Sequence, residues 1–347
     1  MRIANRELGP DEPVYVIAEL GVNHDGDVGK ALALTQAAAT AKADAVKLQF
    51  FETDRLMSSA AKLAAYQAEA GETDPITMLR RLEMGLDDMA TVVDRAHELG
   101  LHAIVTVFSV ELVQPATELF WDAFKSASPD IVHRPLLEAM AFHAGGRPLI
   151  VSTGASTPDE INRAHHWLGK AKDRLAYLQC VSSYPAPDAA LEGIGAIASI
   201  TGTPIGYSDH TESVQTGAEA VAAGACLLER HLTLDKAAPG PDHAASLEPD
   251  EFAKYVGLAR MARCGINAER YKPDKRVLGC ERDVREVSRQ SIVSTRRIDV
   301  GEVIERADLA FKRPGTGLAP WQLDQVLGQM AMNPIEADTP IKPSDLD

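Results

Sequence analysis

Two histidines that end short apolar runs are the first candidates for chemistry in this sequence. His210 ends the run IGYSDH, and His231 ends the run LLERH. Neutral imidazole is a common ligand of divalent transition metals, so two histidines at neighbouring strand ends can bind one cation. Glu19, in the run VYVIAEL, would add a hard oxygen donor or a partner for metal-bound water. Because a single histidine at a strand end is more often structural, the metal-site prediction depends on the pair.

One lysine and several hydroxyl groups form a second candidate site, which would suit phosphate. Phosphate is a hard anion with many acceptor lone pairs, so a cation and hydroxyl groups can bind it by charge and by hydrogen bonds. The chain has no P-loop, and a nucleotide-type phosphate cradle is therefore not expected. The residues of this second site are Lys125, Thr106, Ser128, Ser152 and Ser208.

The elements that would position these residues are short β-like runs that alternate with helical patterns. Eight runs, each followed by a helical pattern, match an α/β fold of the (β/α)8 TIM-barrel type, and a doubly wound open sheet is the alternative. No Gly-rich fingerprint follows the first run, which disfavours the open sheet. The runs cover residues 14–20, 45–50, 101–108, 122–128, 147–154, 174–183, 203–209 and 225–234.

All eight runs carry polar or ionisable residues at or near their carboxyl ends. Helix capping explains one or two such ends, but it does not explain eight. A TIM barrel gathers the carboxyl ends of its strands at one mouth, where its active site lies. The sequence therefore predicts a reaction centre that is lined by the candidate metal and phosphate residues.

The alternation ends near residue 268. Residues 268–282 are charged and lack a sustained apolar face, so they are predicted to link a catalytic barrel domain (1–267) to a second domain. Residues 283–347 show short apolar runs with turns at DVGE and PGTG, which predicts a small β-rich domain. Because a domain of this size buries little core alone, we expect it to dock on the barrel.

The charge of the chain argues against several classes of partner. The formal net charge is −15 at pH 7, whereas nucleic acids and anionic membranes require a positive surface. No apolar run approaches the ~18 residues of a membrane span, and the first residues do not form a signal peptide. Four scattered cysteines fit a reducing compartment. We therefore expect a cytoplasmic protein that binds neither nucleic acid nor membrane.

Several longer motifs resemble the sialic acid synthase family over almost the whole chain. In the barrel part they include IAELGVNHDGD, AVKLQFF, VSTGAS, CVSSYPAP, IGYSDHT and LERHLTLDKAAPGPDHAASLEPDEF. SRQSIVSTRRIDVGEVI and KRPGTGLAP are similar to the antifreeze-like (SAF, β-clip) domain of the same family. The resemblance implies a synthase that condenses phosphoenolpyruvate with an N-acylated mannosamine-type sugar. The expected products are a nonulosonic (sialic-type) acid and phosphate, which is released by C–O cleavage.

The same resemblance implies roles for residues near the reacting atoms. His210 and His231 match the pair that binds manganese, with Mg²⁺ or Co²⁺ as alternatives. Glu19 matches a carboxylate near the metal, and Asp130 lies where the family places a carboxylate beside the reacting carbons. The positions that contact phosphoenolpyruvate are matched by Lys125, Thr106, Ser128, Ser152 and Ser208, with Ser182 where many relatives place a polar group.

The resemblance also implies how the sugar is held. Gln49, Tyr184 and Asp242 match positions that bind the amino sugar. Arg313, in the RPG turn, matches an arginine that a partner subunit contributes in a domain-swapped homodimer. Pro129 departs from the pattern, because relatives have glycine there, so the geometry of the phosphate loop is expected to differ.

Two other functions stay open on the sequence alone. Lys47 or Lys125 would form a Schiff base with pyruvate if the chain were a barrel aldolase. A non-catalytic sugar-binding or partner-binding protein is the second alternative. The sugar of a synthase also stays open among N-acetylmannosamine, its 6-phosphate and diacetamido-dideoxy hexoses.

Overall fold

Eight parallel strands close into a barrel in the computed structural model, which describes residues 1–347. The strands pair in chain order, and the last strand pairs with the first. Every predicted run contains one barrel strand, so the TIM-barrel prediction is confirmed and the open sheet is wrong. The barrel strands are β3 (Tyr15–Glu19), β4 (Ala45–Phe50), β5 (His102–Val107), β6 (Ala123–Ser126), β7 (Leu149–Ser152), β8 (Leu175–Cys180), β9 (Ile205–Asp209) and β10 (Leu227–His231).

The inward face of the barrel strands changes from apolar to polar along their length. Residues two apart share one face of a strand. In β10, Leu227 belongs to the interior core, and Glu229 and His231 follow on the same face. In β3, Ile17 belongs to that core and is followed on the same face by Glu19. The interior is therefore filled at its amino-terminal end, and the chemistry-bearing residues lie at the mouth.

The strand register brings candidate site residues to the same level of the barrel. His231 in β10 is paired with Glu19 in β3, and Thr106 in β5 is paired with Lys125 in β6. At the opposite end, the hairpin of β1 (Arg2–Ile3) and β2 (Arg6–Glu7) covers the barrel, because Ile3 is buried in the interior core. The barrel is thus open to ligands at one end.

Most of the helices pack around the barrel and supply the outer layer of the main hydrophobic core. No helix combines the length and the hydrophobicity that a membrane span requires. Their bounds are α1 (Val28–Thr40), α2 (Thr53–Leu56), α3 (Ala65–Glu69), α4 (Pro75–Leu82), α5 (Leu86–Glu98), α6 (Val110–Ala116), α7 (Arg134–His143), α8 (Pro158–Trp167), α9 (Glu192–Thr201), α10 (Thr216–Ala223), α11 (Pro249–Met261), α12 (Arg282–Ser288) and α13 (Leu323–Val326).

The connection after β4 is much longer than the others and contains α2, α3 and α4. It covers one side of the mouth. Its apolar side chains pack into a separate cluster with Val22 and Phe108, which follow β3 and β5. The members contributed by the connection itself are Phe51, Leu56, Met57, Met78, Leu79 and Leu82. The cluster therefore forms an apolar wall beside the polar mouth.

The C-terminal domain has its own core and docks on the barrel. β11 (Ser291–Ser294) pairs with β12 (Leu309–Lys312) in an antiparallel sheet, and Ile292 and Phe311 belong to a small separate core. The docking contacts include an ion pair of 2.7 Å between Arg285 and Glu160. The guanidinium of Arg163 also lies 4.5 Å from the ring centre of Trp321. The β-rich character expected of this region is confirmed.

Candidate active site

Four buried charged side chains meet inside the mouth. The Lys47 ammonium pairs with Glu19 and lies 3.7 Å from Oε2 of Glu229. The Lys125 ammonium lies 3.4 Å from Oε1 of Glu229, which also accepts a hydrogen bond of 2.9 Å from Ser208. Burial lowers the pKa of Lys47 to about 7, although Glu229 opposes this shift. Burial alone would raise the pKa of Glu229, but Lys125 and Lys47 outweigh it and lower that pKa.

Hydroxyl groups gather around Gly154, in the loop after β7. The Gly154 N–H donates to Ser128 Oγ at 2.9 Å, and Ser128 Oγ lies 3.0 Å from the Cys180 sulfur. A Cβ at position 154 would lie only 2.2 Å from Ser182 Oγ, so the serine hydroxyl contacts the glycine backbone directly. Ser152 Oγ is buried without a hydrogen-bond partner. This corner therefore has hydroxyl groups available to a phosphate.

The two histidines lie side by side with their ring centres 5.7 Å apart. His210 Nδ1 donates to the Val181 carbonyl at 2.7 Å, which leaves the Nε2 lone pair free of that bond. Burial lowers the pKa of His210 to about 4 and that of His231 well below its usual value, so both imidazoles are neutral. His231 Nδ1 makes no hydrogen bond and lies 3.7 Å from Oδ2 of Asp242.

These neutral imidazoles fit the requirements of a divalent cation, which binds deprotonated nitrogen. No group of three histidine, cysteine, aspartate or glutamate residues is arranged to hold a metal ion. The chain would therefore supply two protein ligands, and substrate or water oxygens would have to complete the coordination. The metal itself stays a prediction.

The residues predicted to bind the sugar, Gln49, Tyr184 and Asp242, line the cavity near the two histidines. The Tyr184 ring packs against His210, with ring centres 4.2 Å apart, and against Tyr66, with ring centres 4.9 Å apart. The Gln49 amide donates to the Gly21 carbonyl at 2.8 Å. Burial raises the pKa of Asp242 to about 7.

Arg313 reaches the cavity of the barrel to which its own domain is linked. The Arg313 backbone N–H donates to the Leu56 carbonyl at 2.8 Å, and Ser58 Oγ donates to the Arg313 carbonyl at 2.6 Å. The guanidinium lies 5.6 Å from the ring centre of Phe108. Within one chain the arginine is thus supplied in cis, and supply by a partner subunit stays a prediction.

Asp130 is the one predicted site residue that does not line the cavity. It lies in the 3-10 turn Ser128–Val132, near whose start Pro129 fixes the backbone, and its carboxyl faces the C-terminal domain. Gln290 donates to Oδ1 of Asp130 at 3.2 Å. Burial raises the pKa of Asp130 to about 7, although Arg313 opposes this shift. This placement does not support direct contact between Asp130 and the reacting carbons.

The other predicted residues line a single cavity with an empty volume of about 950 Å³. Glu229, Tyr66 and Lys47 also line it, although none of them was a predicted site residue of the synthase. The two-residue strand period could have identified Glu229, which shares a face with His231. The predicted residues in the cavity are Glu19, Gln49, Thr106, Lys125, Ser128, Ser152, Ser182, Tyr184, Ser208, His210, His231, Asp242 and Arg313.

The fold and the site define a TIM-barrel protein with one charged cavity at its mouth and a docked C-terminal domain. The chain belongs to the NeuB family, whose model matches residues 34–268. The SAF domain model matches residues 289–347. These matches confirm the family and the SAF domain that the sequence motifs indicate.

Named relatives are similar over nearly the full length. The N,N'-diacetyllegionaminic acid synthase of Legionella pneumophila is 33% identical, over 95% of this chain and 96% of that protein. The N-acetylneuraminate-9-phosphate synthase of Mus musculus is 31% identical, over 96% of this chain and 92% of that protein. The crystal structure of the spore coat polysaccharide biosynthesis protein SpsE from Bacillus subtilis matches with a TM-score of 0.82 at 31% identity, covering 100% of this chain and 99% of that one.

Proposed function

We propose that this chain is a synthase that condenses phosphoenolpyruvate with an N-acylated mannosamine-type sugar, giving a nonulosonic acid and phosphate. One observation carries the proposal: a lysine and hydroxyl corner suited to phosphate shares one cavity with two neutral, neighbouring imidazoles. The names of the relatives in the NeuB family support the same reaction class.

Lys125 and the serines around Gly154 would hold phosphoenolpyruvate. We name these serines, Ser128, Ser152 and Ser182, the serine corner. The ammonium supplies positive charge, while Ser152 and Ser128 supply hydroxyl groups that line the same cavity. Such fixed groups stabilise charge that develops on a leaving phosphate without having to reorganise. Glu229 lies between Lys47 and Lys125 and keeps both ammonium groups oriented toward the cavity.

His210 and His231 would hold a divalent cation, and Mn²⁺ is the ion we propose, with Mg²⁺ or Co²⁺ as alternatives. When bound, such an ion polarises the aldehyde oxygen of the open-chain sugar as a Lewis acid. The Val181 carbonyl fixes the His210 tautomer, and Tyr184 packs on its ring, so the ligand nitrogen is oriented before substrate binds.

Glu19 is the carboxylate best placed to accept a proton from the water that captures the condensed carbon centre. It lines the cavity, whereas Asp130 does not. The Gly21 N–H donates to its Oε1 at 2.8 Å, and Lys47 pairs with its other oxygen. These partners orient the carboxylate, which is what a general base requires.

The charge balance of the cavity favours a neutral sugar over a sugar phosphate. The lining holds three carboxylates and three cations, so a sugar phosphate would have to compete with phosphoenolpyruvate for the same two lysines. The apolar wall beside Gln49 and Arg313 would instead contact a deoxy or N-acyl portion of the sugar. The charged residues of the lining are Glu19, Lys47, Lys125, Glu229, Asp242 and Arg313. We therefore propose a neutral diacetamido-dideoxy hexose as the preferred sugar.

A domain-swapped homodimer is the assembly we propose. The contacts between the C-terminal domain and the barrel would be the same surfaces whether they form within one chain or between two chains. The linker 268–282 would then decide which barrel receives Arg313.

The test is phosphate release from phosphoenolpyruvate with N-acetylmannosamine, its 6-phosphate and a diacetamido-dideoxy hexose, each with and without a chelator. We expect turnover with the neutral sugars, loss of turnover on chelation and recovery with Mn²⁺. Sugar-independent release, or no release with any sugar, would refute the proposal.

A Schiff-base aldolase remains the second candidate because burial lowers the pKa of Lys47 to about 7, which favours a nucleophilic amine. The Lys47 ammonium also donates to Thr106 Oγ1 at 3.0 Å and pairs with Glu19. Borohydride reduction in the presence of pyruvate would label Lys47 only if the aldolase alternative is right.

A further inference from the structure

Glu281, near the end of the linker 268–282, is completely buried although no step of the proposed reaction uses it. Its Oε1 accepts a hydrogen bond of 2.7 Å from the Ala155 N–H and one of 2.8 Å from the Ser182 N–H. Its Oε2 accepts a hydrogen bond of 2.9 Å from the Leu278 N–H. One carboxylate from outside the barrel therefore joins the loops that follow β7 and β8.

The Ala155 peptide is held from its other side as well. Arg285 Nη1 donates to the Ala155 carbonyl, and Arg289 Nη2 donates to the same oxygen at 3.3 Å. Both arginines also pair with Glu160, at 2.7 Å and 2.8 Å. Ala155 has a φ of 50°, a left-handed conformation that residues other than glycine rarely adopt. Residues 281–289, which we name the clamp segment, thus hold this loop conformation through both the N–H and the carbonyl of Ala155.

The two loops joined by Glu281 carry the serine corner of the cavity. Ser152 is the last residue of β7 and Gly154 lies in the loop that follows it, while the loop after β8 contains Ser182. Gly154 donates to Ser128 Oγ, and Ser182 Oγ lies against Gly154. A shift of either loop would therefore separate hydroxyl groups that now lie together.

We propose that Glu281 is a positioning residue for phosphate binding, which makes the clamp segment part of the phosphate site rather than a passive linker. The inference rests on the proposed function, because that function places phosphoenolpyruvate at the serine corner. It predicts a selective loss of affinity for phosphoenolpyruvate and for inorganic phosphate, without an equal loss of affinity for the sugar.

The experiment compares three full-length variants with the wild type: Glu281→Ala, Glu281→Gln and Glu286→Gln. Glu286 is the matched control, because it lies in α12, the helix that begins directly after Glu281, is exposed and makes no side-chain hydrogen bond. Steady-state assays give KM for phosphoenolpyruvate and for the sugar. Calorimetric titration with inorganic phosphate, in the absence of sugar, gives a binding constant that does not depend on turnover.

Glu281→Ala leaves two buried loop N–H groups without an acceptor, so KM for phosphoenolpyruvate and Kd for inorganic phosphate should each rise about tenfold or more. KM for the sugar should change by less than about twofold, because the sugar side keeps its contacts. Glu281→Gln retains one oxygen that can accept both loop N–H groups and should fall between alanine and wild type. Glu286→Gln should match the wild type.

Two results would overturn the inference. One is an unchanged phosphate affinity in a Glu281→Ala protein that unfolds as cooperatively as the wild type. The other is an equal rise of both KM values without rescue by glutamine, which would indicate a general structural role. If wild type shows no turnover with any sugar, the proposed function fails, while the phosphate titration still decides the role of Glu281.

Discussion

The two lysines and two glutamates of the cavity each lie beside an opposite charge, so the effect of a substitution among them depends on what it leaves behind. Lys125 lies 3.4 Å from Glu229, and Lys47 lies 3.7 Å from the other oxygen of the same carboxylate. If Lys125 is removed, Lys47 still compensates Glu229. The variant should therefore report the loss of a phosphate contact rather than the exposure of an unpaired buried charge.

Lys125→Met removes the cation and keeps much of the apolar stem. A charge-assisted hydrogen bond to a buried phosphate contributes about 1.5–3 kcal/mol, so KM for phosphoenolpyruvate should rise at least about tenfold. Steady-state kinetics measure this, and Lys170→Met, at an exposed position, is the control. An unchanged KM for phosphoenolpyruvate with a raised KM for the sugar would assign Lys125 to the other substrate.

At the level of the structural elements, Asp130 has a raised pKa. It lies at the interface between the 3-10 turn Ser128–Val132 and the C-terminal domain. Burial raises the pKa of Asp130 to about 7, whereas an aspartate in an unfolded chain titrates near ~3.9. Between these values the folded protein binds more protons than the unfolded chain. Stability should therefore be fully present below about pH 4 for this group and be lost as pH rises toward about 7.

Asp130→Asn removes this titration while its Oδ1 can still accept from Gln290. We expect the free energy of unfolding of the variant to fall less between about pH 4 and about pH 7, the window set by the two pKa values, than that of the wild type. Urea unfolding at several pH values measures the difference, and Asp173→Asn, at an exposed position, is the control. Parallel pH profiles for wild type and Asp130→Asn would contradict the raised pKa.

The strands and most of the site could be predicted from sequence because a barrel strand has a strict two-residue period. Ile17 and Glu19 share a face, as do Leu227, Glu229 and His231, so polar residues at run ends had to meet at the mouth. The connection after β4 lacks such a period, since its short helices pack against the mouth and, through α2, against β12. For this reason the sequence pattern does not predict that this connection contributes Tyr66 and the apolar wall to the cavity.

Asp130 shows a second limit of sequence reasoning. Its position in the family motif predicts a place beside the reacting carbons, but the turn that begins near Pro129 directs its carboxyl to Gln290. The contacts of Glu281 with Ala155 and Ser182 could not be predicted either, because these partners lie 126 and 99 positions away in the chain. Long-range hydrogen bonds to backbone groups leave no periodic pattern in a sequence.

On the scale of the whole molecule, the source of Arg313 can be decided by mixing two defective chains. His231→Ala disables the barrel site, and Arg313→Ala disables the C-terminal contribution. If the arginine acts between chains, half of a random mixture is heterodimer with one wild-type site each, so activity should recover to about a quarter of wild type. If it acts within a chain, as the single chain arranges it, every site keeps one defect and no activity returns.

The most direct test of the account uses phosphoenolpyruvate labelled with ¹⁸O at the bridging C–O–P oxygen, mixed with the enzyme, Mn²⁺ and a diacetamido-dideoxy hexose. A synthase that releases phosphate by C–O cleavage transfers the label to phosphate, and release should require the sugar. Mass spectrometry of the phosphate and of the nonulosonic acid measures where the label goes. Label in phosphate, with none retained in the sugar acid from this oxygen, is the predicted result. Phosphate that is unlabelled, or that is released equally without sugar, would contradict the account.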